Sequence, residues 1–581
     1  VLARKALERQ LVADGVVDEE KLERARTEAV RTGQSLVDVI SQLGYAPPES
    51  AYRSLAKFCD LAFVIPSKME IPEDLVKRVP ARFATHYNFV PIQERNGTIV
   101  VAVSDPLNAQ LLDDIRLVLK KRIEPVVTTP EEIERTTKAI YGLGADTVER
   151  ILSDTDSVAA VLSLDGQHTG SDLADENIDA SIIKFVNEVI FEAIQTDATD
   201  IHIEPFEDQL RVRYRIDGIL HMVPTPASIR GFQAAIVSRI KIMANLNIAE
   251  KRLPQDGKIL ASIGDHQYDL RVSVLPTPYG ETVNMRILSR ASMFLTLDQL
   301  GFLPEDLGQF NKYLEKPHGI ILVTGPTGSG KTTTLYASLH KLNKLDHKII
   351  TIEDPIEYQL KGISQMQVQP RIGFDFSMGL RSMLRHDPDI MMIGEIRDFE
   401  TAEMAIRSSL TGHLVFSTLH TNDAAGSVTR LIDMGVEPFL IASTMIAAIA
   451  QRLVRCACAK CAEDYTPSEE VLTNFGVASL PAGARLRRGR GCDACRHTGY
   501  RGRVAIYEML TFSNPIKELT YRRAPSTEIK RKGRQLGMRT LREAGWAQVC
   551  RGRTTIEEVM RVTSDADVID AIETGDAAIQ V

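Results

Sequence analysis

Apolar and polar positions change period several times along the chain, and each change marks a segment. Residues 1–60 carry helical spacing and repeat weakly. The stretch "LERQLVADGVVDEEKLERA" from Leu7 realigns with "LVDVISQLGYAPPESAYRS" from Leu36, so Leu7 meets Leu36 and Gly15 meets Gly44. Each copy reads as a helix, a glycine stop and a second helix opened by an acidic or proline-rich cap. Two copies are too few for a solenoid, so the spacing predicts a compact helical module. Residues 61–141 have a different texture. "NFVPIQERNGTIVVAVSDP" predicts two strands around a turn at Asn96-Gly97. A helix in "LNAQLLDDIRLVLKKR" and a strand in "IEPVVTT" complete a small α+β domain. Residues 142–178 are polar, acidic and poor in aromatics, which predicts a flexible linker with one weak helix.

Pattern returns between 179 and 292. The helix "SIIKFVNEVIFEAIQT" leads to the alternating runs "DIHIEPF", "QLRVRYRIDGIL", "HQYDLRVSVLP" and "TVNMRIL". Arginines alternate with apolar residues in "LRVRYRI" and "DLRVSV", so one sheet face is basic and the other buried. Such a face is most often simply solvated. Residues 293–455 alternate strand and helix, which predicts a mostly parallel sheet in an α/β domain. Within them, "PFLIASTMIAAIA" from Pro438 reads as a buried helix. A cysteine-bearing segment, 456–503, follows. The last part, 504–581, holds the strand "VAIYEML" and is otherwise helical.

Composition narrows what these segments do. A chain of 581 residues is too long for one core and should form about three to five domains. Its 44% hydrophobic and 25% charged residues are those of a soluble globular protein. The formal net charge of -8, with both signs interspersed, argues against a dedicated nucleic-acid binder. No apolar run reaches the roughly 18 residues that span a bilayer, and the start shows no leader pattern. Five of the seven cysteines, Cys456, Cys458, Cys461, Cys492 and Cys495, are clustered. Without a leader, that clustering fits a reducing compartment and points to metal rather than disulfides.

The clearest chemistry lies in "GIILVTGPTGSGKTTTLYASL". An apolar strand, 320–323, enters the loop Gly325, Pro326, Thr327, Gly328, Ser329, Gly330, and a helical pattern leaves through Lys331, Thr332 and Thr333. The glycines let backbone N–H groups turn inward around a phosphate, and the helix start adds its positive dipole end. Lys331 supplies charge to the β- and γ-phosphates of ATP, and the Thr332 hydroxyl can hold Mg²⁺. "KIITIEDPIEY" ends a strand at Glu353, Asp354 and Glu357, and "DPDIMMIGEIRD" ends one at Glu395. Ligands bind at the carboxyl ends of parallel strands, so these carboxylates can converge on one nucleotide. Glu395 is the better candidate to activate the attacking water. "TGHLVFSTLHTND" is a third strand with His413 and His420 at its two ends.

Taken together, these segments resemble the secretion ATPases of type II secretion and type IV pilus assembly. "GPTGSGKTTTLY" looks like the family's Walker A, "TIEDPIEY" its aspartate box, "DPDIMMIGEIRD" its Walker B and "TGHLVFSTLHTN" its histidine box. The resemblance runs from about residue 181 to 503 and continues more weakly to both ends. It implies a RecA-like core over 293–455 and catalytic work by Glu395, Glu353, His413 and His420. It also implies that the domain over 179–292 supplies Arg271 and Arg286 to the γ-phosphate; Thr282 stands where many relatives carry another arginine. Fibre-assembling members carry a C-x-x-C…C-x-x-C insertion. Cys458, Cys461, Cys492 and Cys495 match it and imply a closed Zn²⁺ site, with Cys456 the spare thiol or a C-x-C partner of Cys458. The basic "ARLRRGRG" between the pairs reads equally as a membrane-partner face or a solvated loop.

Residues 1–60 resemble the docking module that in some relatives binds cyclic di-GMP through paired R-L-G…Q signatures. Here the matching positions are Ala6-Leu7-Glu8 with Ala29, and Ser35-Leu36-Val37 with Phe58, so that nucleotide is not expected to bind. The implied function is a cytoplasmic homohexameric ATPase, held at the inner membrane by partners. It would drive pseudopilus or pilus assembly through an inner-membrane platform protein and a membrane-anchored adaptor. The rival of a different class is a nucleic-acid translocase with the cysteine segment as a DNA-binding ribbon. The acidic balance disfavours it, and no nucleic acid is expected.

Overall fold

The computed structural model describes residues 2–32, 34–145, 147, 172–263, 266–289, 295–477, 480, 481 and 483–563. Most of the expected acidic linker therefore lies outside the described residues. The chain divides into two compact units, Val1–Leu288 and Ser289–Val581.

The first unit opens with four helices, Leu2–Ala13, Glu19–Thr32, Leu36–Gln42 and Pro48–Phe58. The weak repeat is visible in their caps. Gly15 and Gly44 both follow a helix with positive φ, 70° and 68°. The next N–H closes each end: Val16 donates to Leu11 O at 3.0 Å and Tyr45 to Ile40 O at 3.1 Å. Both bonds are the six-to-one closure of a glycine-stopped helix. Leu7, Leu11, Val37, Ile40, Tyr52 and Leu55 form the core of this helical part.

A three-stranded sheet comes next. Phe89–Arg95 pairs antiparallel with Thr98–Val103, which pairs in parallel with Arg122–Val127. Asn96 and Gly97 take φ of 49° and 77°, the two positive values that a two-residue hairpin turn with the right twist requires.

Helix Asp172–Gln195 then starts earlier than the pattern from Ser181 indicates. It and Gln233–Met243 cover one face of a six-stranded sheet, ordered 219–223, 210–216, 198–205, 280–289, 266–277, 255–263. Val212, Tyr214, Leu270, Val272, Val283 and Met285 point into that core. The alternate positions, among them Arg211, Arg213, Arg215, Arg271 and Arg286, fall on the opposite face, as the two-residue period dictates.

The second unit is built on a seven-stranded sheet ordered 364–367, 349–353, 390–393, 414–419, 319–324, 445–457, 500–511. The first six strands are parallel and the last antiparallel. Apolar side chains bury both faces, giving two cores, one on each side. That double burial is why its strands read as continuous apolar runs rather than alternations.

One expectation is corrected here. "PFLIASTMIAAIA" is not one helix: Pro438–Thr444 is helical, and Met445–Ala457 is a strand beside the phosphate-loop strand. A fully buried strand and a buried helix cannot be separated by periodicity, and the sheet position decides. The strand expected at "VAIYEML" is present within Tyr500–Thr511, which pairs antiparallel with Met445–Ala457. Among the described residues no helix is long and apolar enough to cross a membrane.

Candidate functional site

Strand register assembles the site. Thr324 pairs with Leu419, so the Gly325 N–H reaches Leu419 O at 3.3 Å and His420 stands beside the phosphate loop. Ile393 pairs with Ser417 and with Ile352. Those pairings put Gly394-Glu395 and Glu353 at the same carboxyl edge of the sheet. Thr418 Oγ1 and the Ile352 carbonyl hold the Gly394 peptide at 2.7 and 2.8 Å.

The loop itself has the backbone its sequence anticipates. Gly325, Gly328 and Gly330 take φ of 150°, 79° and 88°, and helix Lys331–Leu342 starts directly after them. Pro326, Thr327 and Gly328 form the exposed tip, while Gly325 and Ser329 are buried and Gly330, Lys331, Thr332 and Thr333 are half-buried. The Lys331 ammonium folds back over the loop, 2.8 Å from Gly325 O and 3.1 Å from Pro326 O. Burial pushes its pKa below the ordinary lysine value; nearby Glu395 opposes the shift and Arg452 adds to it. An ammonium that is partly desolvated and held by two carbonyls is ready to exchange them for phosphate oxygens.

Glu395 is 13% exposed and has two cationic or ionisable neighbours. Arg397 donates to one oxygen, and His420 Nε2 lies 3.4 Å from the other. The Arg397 pKa is raised, first by that bond to Glu395. Arg397 also lies 3.9 Å from Asp354, so it links the two carboxylate-bearing strand ends. Arg397 is not among the residues the motifs single out, although its place two positions after Glu395 in "GEIRD" is a signal for it.

Glu353 is at the same edge but is differently employed. Its carboxylate accepts from Thr351 Oγ1 at 2.6 Å, Gln365 Nε2 at 3.0 Å and the Tyr336 hydroxyl. Burial raises its pKa, against the pull of those three donors. His413 lies elsewhere. Its carbonyl accepts from Gly319 N at 3.2 Å, at the amino end of the phosphate-loop strand, on the order of 16 Å from the loop by strand rise. Its Nδ1 is engaged with Ser408 O at 2.8 Å and Thr411 Oγ1 at 3.1 Å. The structure thus brings Lys331, Glu395 and His420 to one edge and does not bring His413 there.

Arg271 and Arg286 belong to the first unit. Arg286 Nε donates to Asp200 Oδ1 at 3.0 Å, and Arg215 approaches the same carboxylate at 3.8 Å. Arg271 stands opposite Lys258 in register.

The second cluster is formed by Cys458, Cys461, Cys492 and Cys495, whose sulfurs all lie within 4.8 Å of one another. The nearest pairs are 3.7–3.9 Å apart. Four thiolates around zinc at ~2.3 Å would place their sulfurs about 3.8 Å apart in a tetrahedron, so the set fits that ion. Two matching turns create it: Cys461 N donates to Cys458 O, and Cys495 N to Cys492 O, each at 3.1 Å. A side chain at Gly489 would stand 2.1 Å from Gly499 O, so glycine lets the two arms close. Burial pushes the Cys461 thiol up to about 12. Burial also acts upward on Cys495, but the Cys492 and Gly499 N–H groups outweigh it and bring that thiol down to about 7. Like charges this close oppose full ionisation without a cation. Cys456 is outside the cluster and packs at the edge of the main core.

The profile of the family described as type II/IV secretion system protein matches residues 175–561. The chain belongs to that family. It is a P-loop ATP hydrolase of the secretion and pilus-assembly kind, which implies ATP and Mg²⁺. It is 44% identical over 550 residues to type II secretion system protein E of Xanthomonas campestris pv. campestris, covering 94% of this chain and 96% of that one. It is 40% identical over 557 residues to the type IV pilus assembly ATPase PilB of Myxococcus xanthus, covering 95% and 98%. The type II secretion system ATPase E of Vibrio cholerae serotype O1 is 42% identical over 494 residues, covering 84% and 97%. The MshEN domain profile matches residues 59–147 of this secretion ATPase. That match covers the small α+β part.

Proposed function

We propose that this secretion ATPase couples ATP hydrolysis to assembly of a pseudopilus or pilus. The observation that supports this most is the parallel register. It puts Glu395 and His420 on the same sheet edge as the loop from Gly325 to Lys331. Backbone N–H groups of the loop and Lys331 hold the β- and γ-phosphates. Glu395 orients the attacking water and takes its proton, with His420 and Arg397 fixing the carboxylate. Thr332 would hold Mg²⁺, which neutralises charge on the phosphates. Glu353 acts with Tyr336, Thr351 and Gln365 to shape the aspartate-box turn. Arg271 and Arg286 stabilise the transferring phosphoryl group when their domain closes onto the nucleotide.

The working form is a homohexamer on an inner-membrane platform protein, with a membrane-anchored adaptor at the N-terminal domains. Its segments are a docking module (1–60), a small α+β domain (61–141), a linker (142–178), an arginine-bearing domain (179–292), a RecA-like core (293–455), a zinc segment (456–503) and a C-terminal helical region (504–581). Zn²⁺ on the four cysteines would cross-link the base of the zinc segment. Capture of membrane partners distinguishes the secretion branch from the pilus branch.

The test is steady-state hydrolysis with nucleotide titration. Glu395→Gln should retain ATP binding and lose nearly all turnover. Lys331→Ala should weaken ATP and ADP binding. Turnover at the parent rate in Glu395→Gln would remove Glu395 from the chemistry.

A further inference from the structure

The phosphate loop leans on a residue that belongs to no nucleotide motif. Gln451 lies on the strand Met445–Ala457, which pairs in parallel with the loop's own strand, Thr324 opposite Ala450. Gln451 is therefore the residue that comes level with Gly325. It is 1% exposed. A Cβ on Gly325 would stand 2.6 Å from the Gln451 carbonyl oxygen, and one on Gly330 would stand 2.8 Å from its Nε2. Both ends of the glycine loop thus rest against this one residue.

The amide is also locked. Its Oε1 accepts from Thr334 Oγ1 at 2.8 Å, and Thr334 is fully buried. Thr334 is one turn into the phosphate-loop helix, where its N–H donates to Gly330 O at 3.1 Å. The Tyr507 hydroxyl, from the antiparallel neighbour strand, lies 3.4 Å from the same Thr334 oxygen. Rotation of the Gln451 amide away from the loop would break its 2.8 Å bond and leave the Thr334 hydroxyl only the longer contact to Tyr507, which is costly for buried groups.

We propose that Gln451, fixed by Thr334, is a positioning residue that holds the loop from Gly325 to Gly330 in its phosphate-receiving shape. It touches no phosphate. It acts through the amide that Thr334 locks: that amide stands behind Gly330 while the Gln451 carbonyl stands behind Gly325, so the N–H groups converge before the nucleotide arrives. Preorganised donors of this kind bind more tightly than donors that must be ordered on binding. This inference rests on the reading of the loop as an ATP site.

The experiment uses the full chain, with Lys331→Ala as the control on that reading. ADP and AMP affinities are measured for the parent, Lys331→Ala, Gln451→Met, Thr334→Val and Thr334→Ser. ADP presents the β-phosphate that the loop holds; AMP does not. ADP affinity should fall about tenfold in Gln451→Met and Thr334→Val, with AMP affinity unchanged. Thr334→Ser keeps the hydroxyl and should bind ADP as the parent does. If Lys331→Ala weakens ADP binding while Gln451→Met and Thr334→Val leave it intact, the positioning role is refuted. Equal losses for ADP and AMP would also refute it, because they would mean general damage to the core. Unaltered ADP binding in Lys331→Ala would instead overturn the ATP-site reading. If Gln451→Met does not fold, Thr334→Val against Thr334→Ser decides the question alone.

Discussion

His413 and His420 flank one strand and look equivalent in the sequence, but the chain gives them opposite surroundings. His420 is half exposed and 3.4 Å from Glu395. His413 is bonded to the end of helix Phe399–Leu410 through Ser408 O. His420→Ala should therefore cut turnover by about tenfold, in line with loss of a group that fixes a general base. His413→Ala should leave turnover of the isolated chain near the parent value and lower stability by about 1 kcal/mol, the worth of a typical hydrogen bond. Turnover and thermal unfolding of the two variants check this. A large loss of turnover in His413→Ala alone would place that histidine in the chemistry through another route. The same scale shows why Glu353 and Glu395 differ. Both end apolar strands, but only Glu395 is left facing a basic side chain at the loop, because Tyr336, Thr351 and Gln365 already occupy Glu353.

Elements explain the cysteine cluster. The two cysteine pairs lie at one end of the long antiparallel ribbon formed by Met445–Ala457 and Tyr500–Thr511. Cys458 follows one strand directly, and Cys495 precedes the other by a tight turn. The ribbon's register, Ala457 opposite Tyr500, fixes how the pairs meet. Leu472, Phe475 and Leu486 of this segment are buried in the main core, whereas the cysteine arms have only the cluster itself, so metal should supply much of the folding energy of the arms. One zinc should bind per chain. Cys458→Ser should lose it, whereas Cys456→Ser should keep it, since Cys456 lies off the cluster. Elemental analysis of both variants decides the matter; equal zinc in the two would refute the ligand set. Stripping the metal should disorder the cysteine arms and leave the phosphate-loop core folded.

At the scale of the molecule, the proposed role of the two arginines is one that only a closing motion would bring into play. Arg286 is held by Asp200 in the first unit, and hydrolysis takes place in the second. Arg271→Ala and Arg286→Ala should each cost about tenfold or more in turnover while nucleotide affinity changes little. Unchanged hydrolysis in both variants would return the basic face to simple solvation.

What the sequence determined by itself was local. The glycine loop, the hairpin at Asn96-Gly97, the two glycine-stopped helices and the paired cysteine turns are each specified within a few residues. In these stretches backbone freedom and side-chain chemistry leave one economical conformation. Tertiary structure decided what depends on register between distant strands. It made Met445–Ala457 a strand, set Gln451 behind the loop, joined Arg397 to Glu395 and brought Tyr336 and Gln365 onto Glu353. The physical reason is that a buried strand carries no periodic signature of its neighbours. Which residues meet across a parallel sheet is set by pairing and packing summed over the whole core, and no short window of the chain contains that sum.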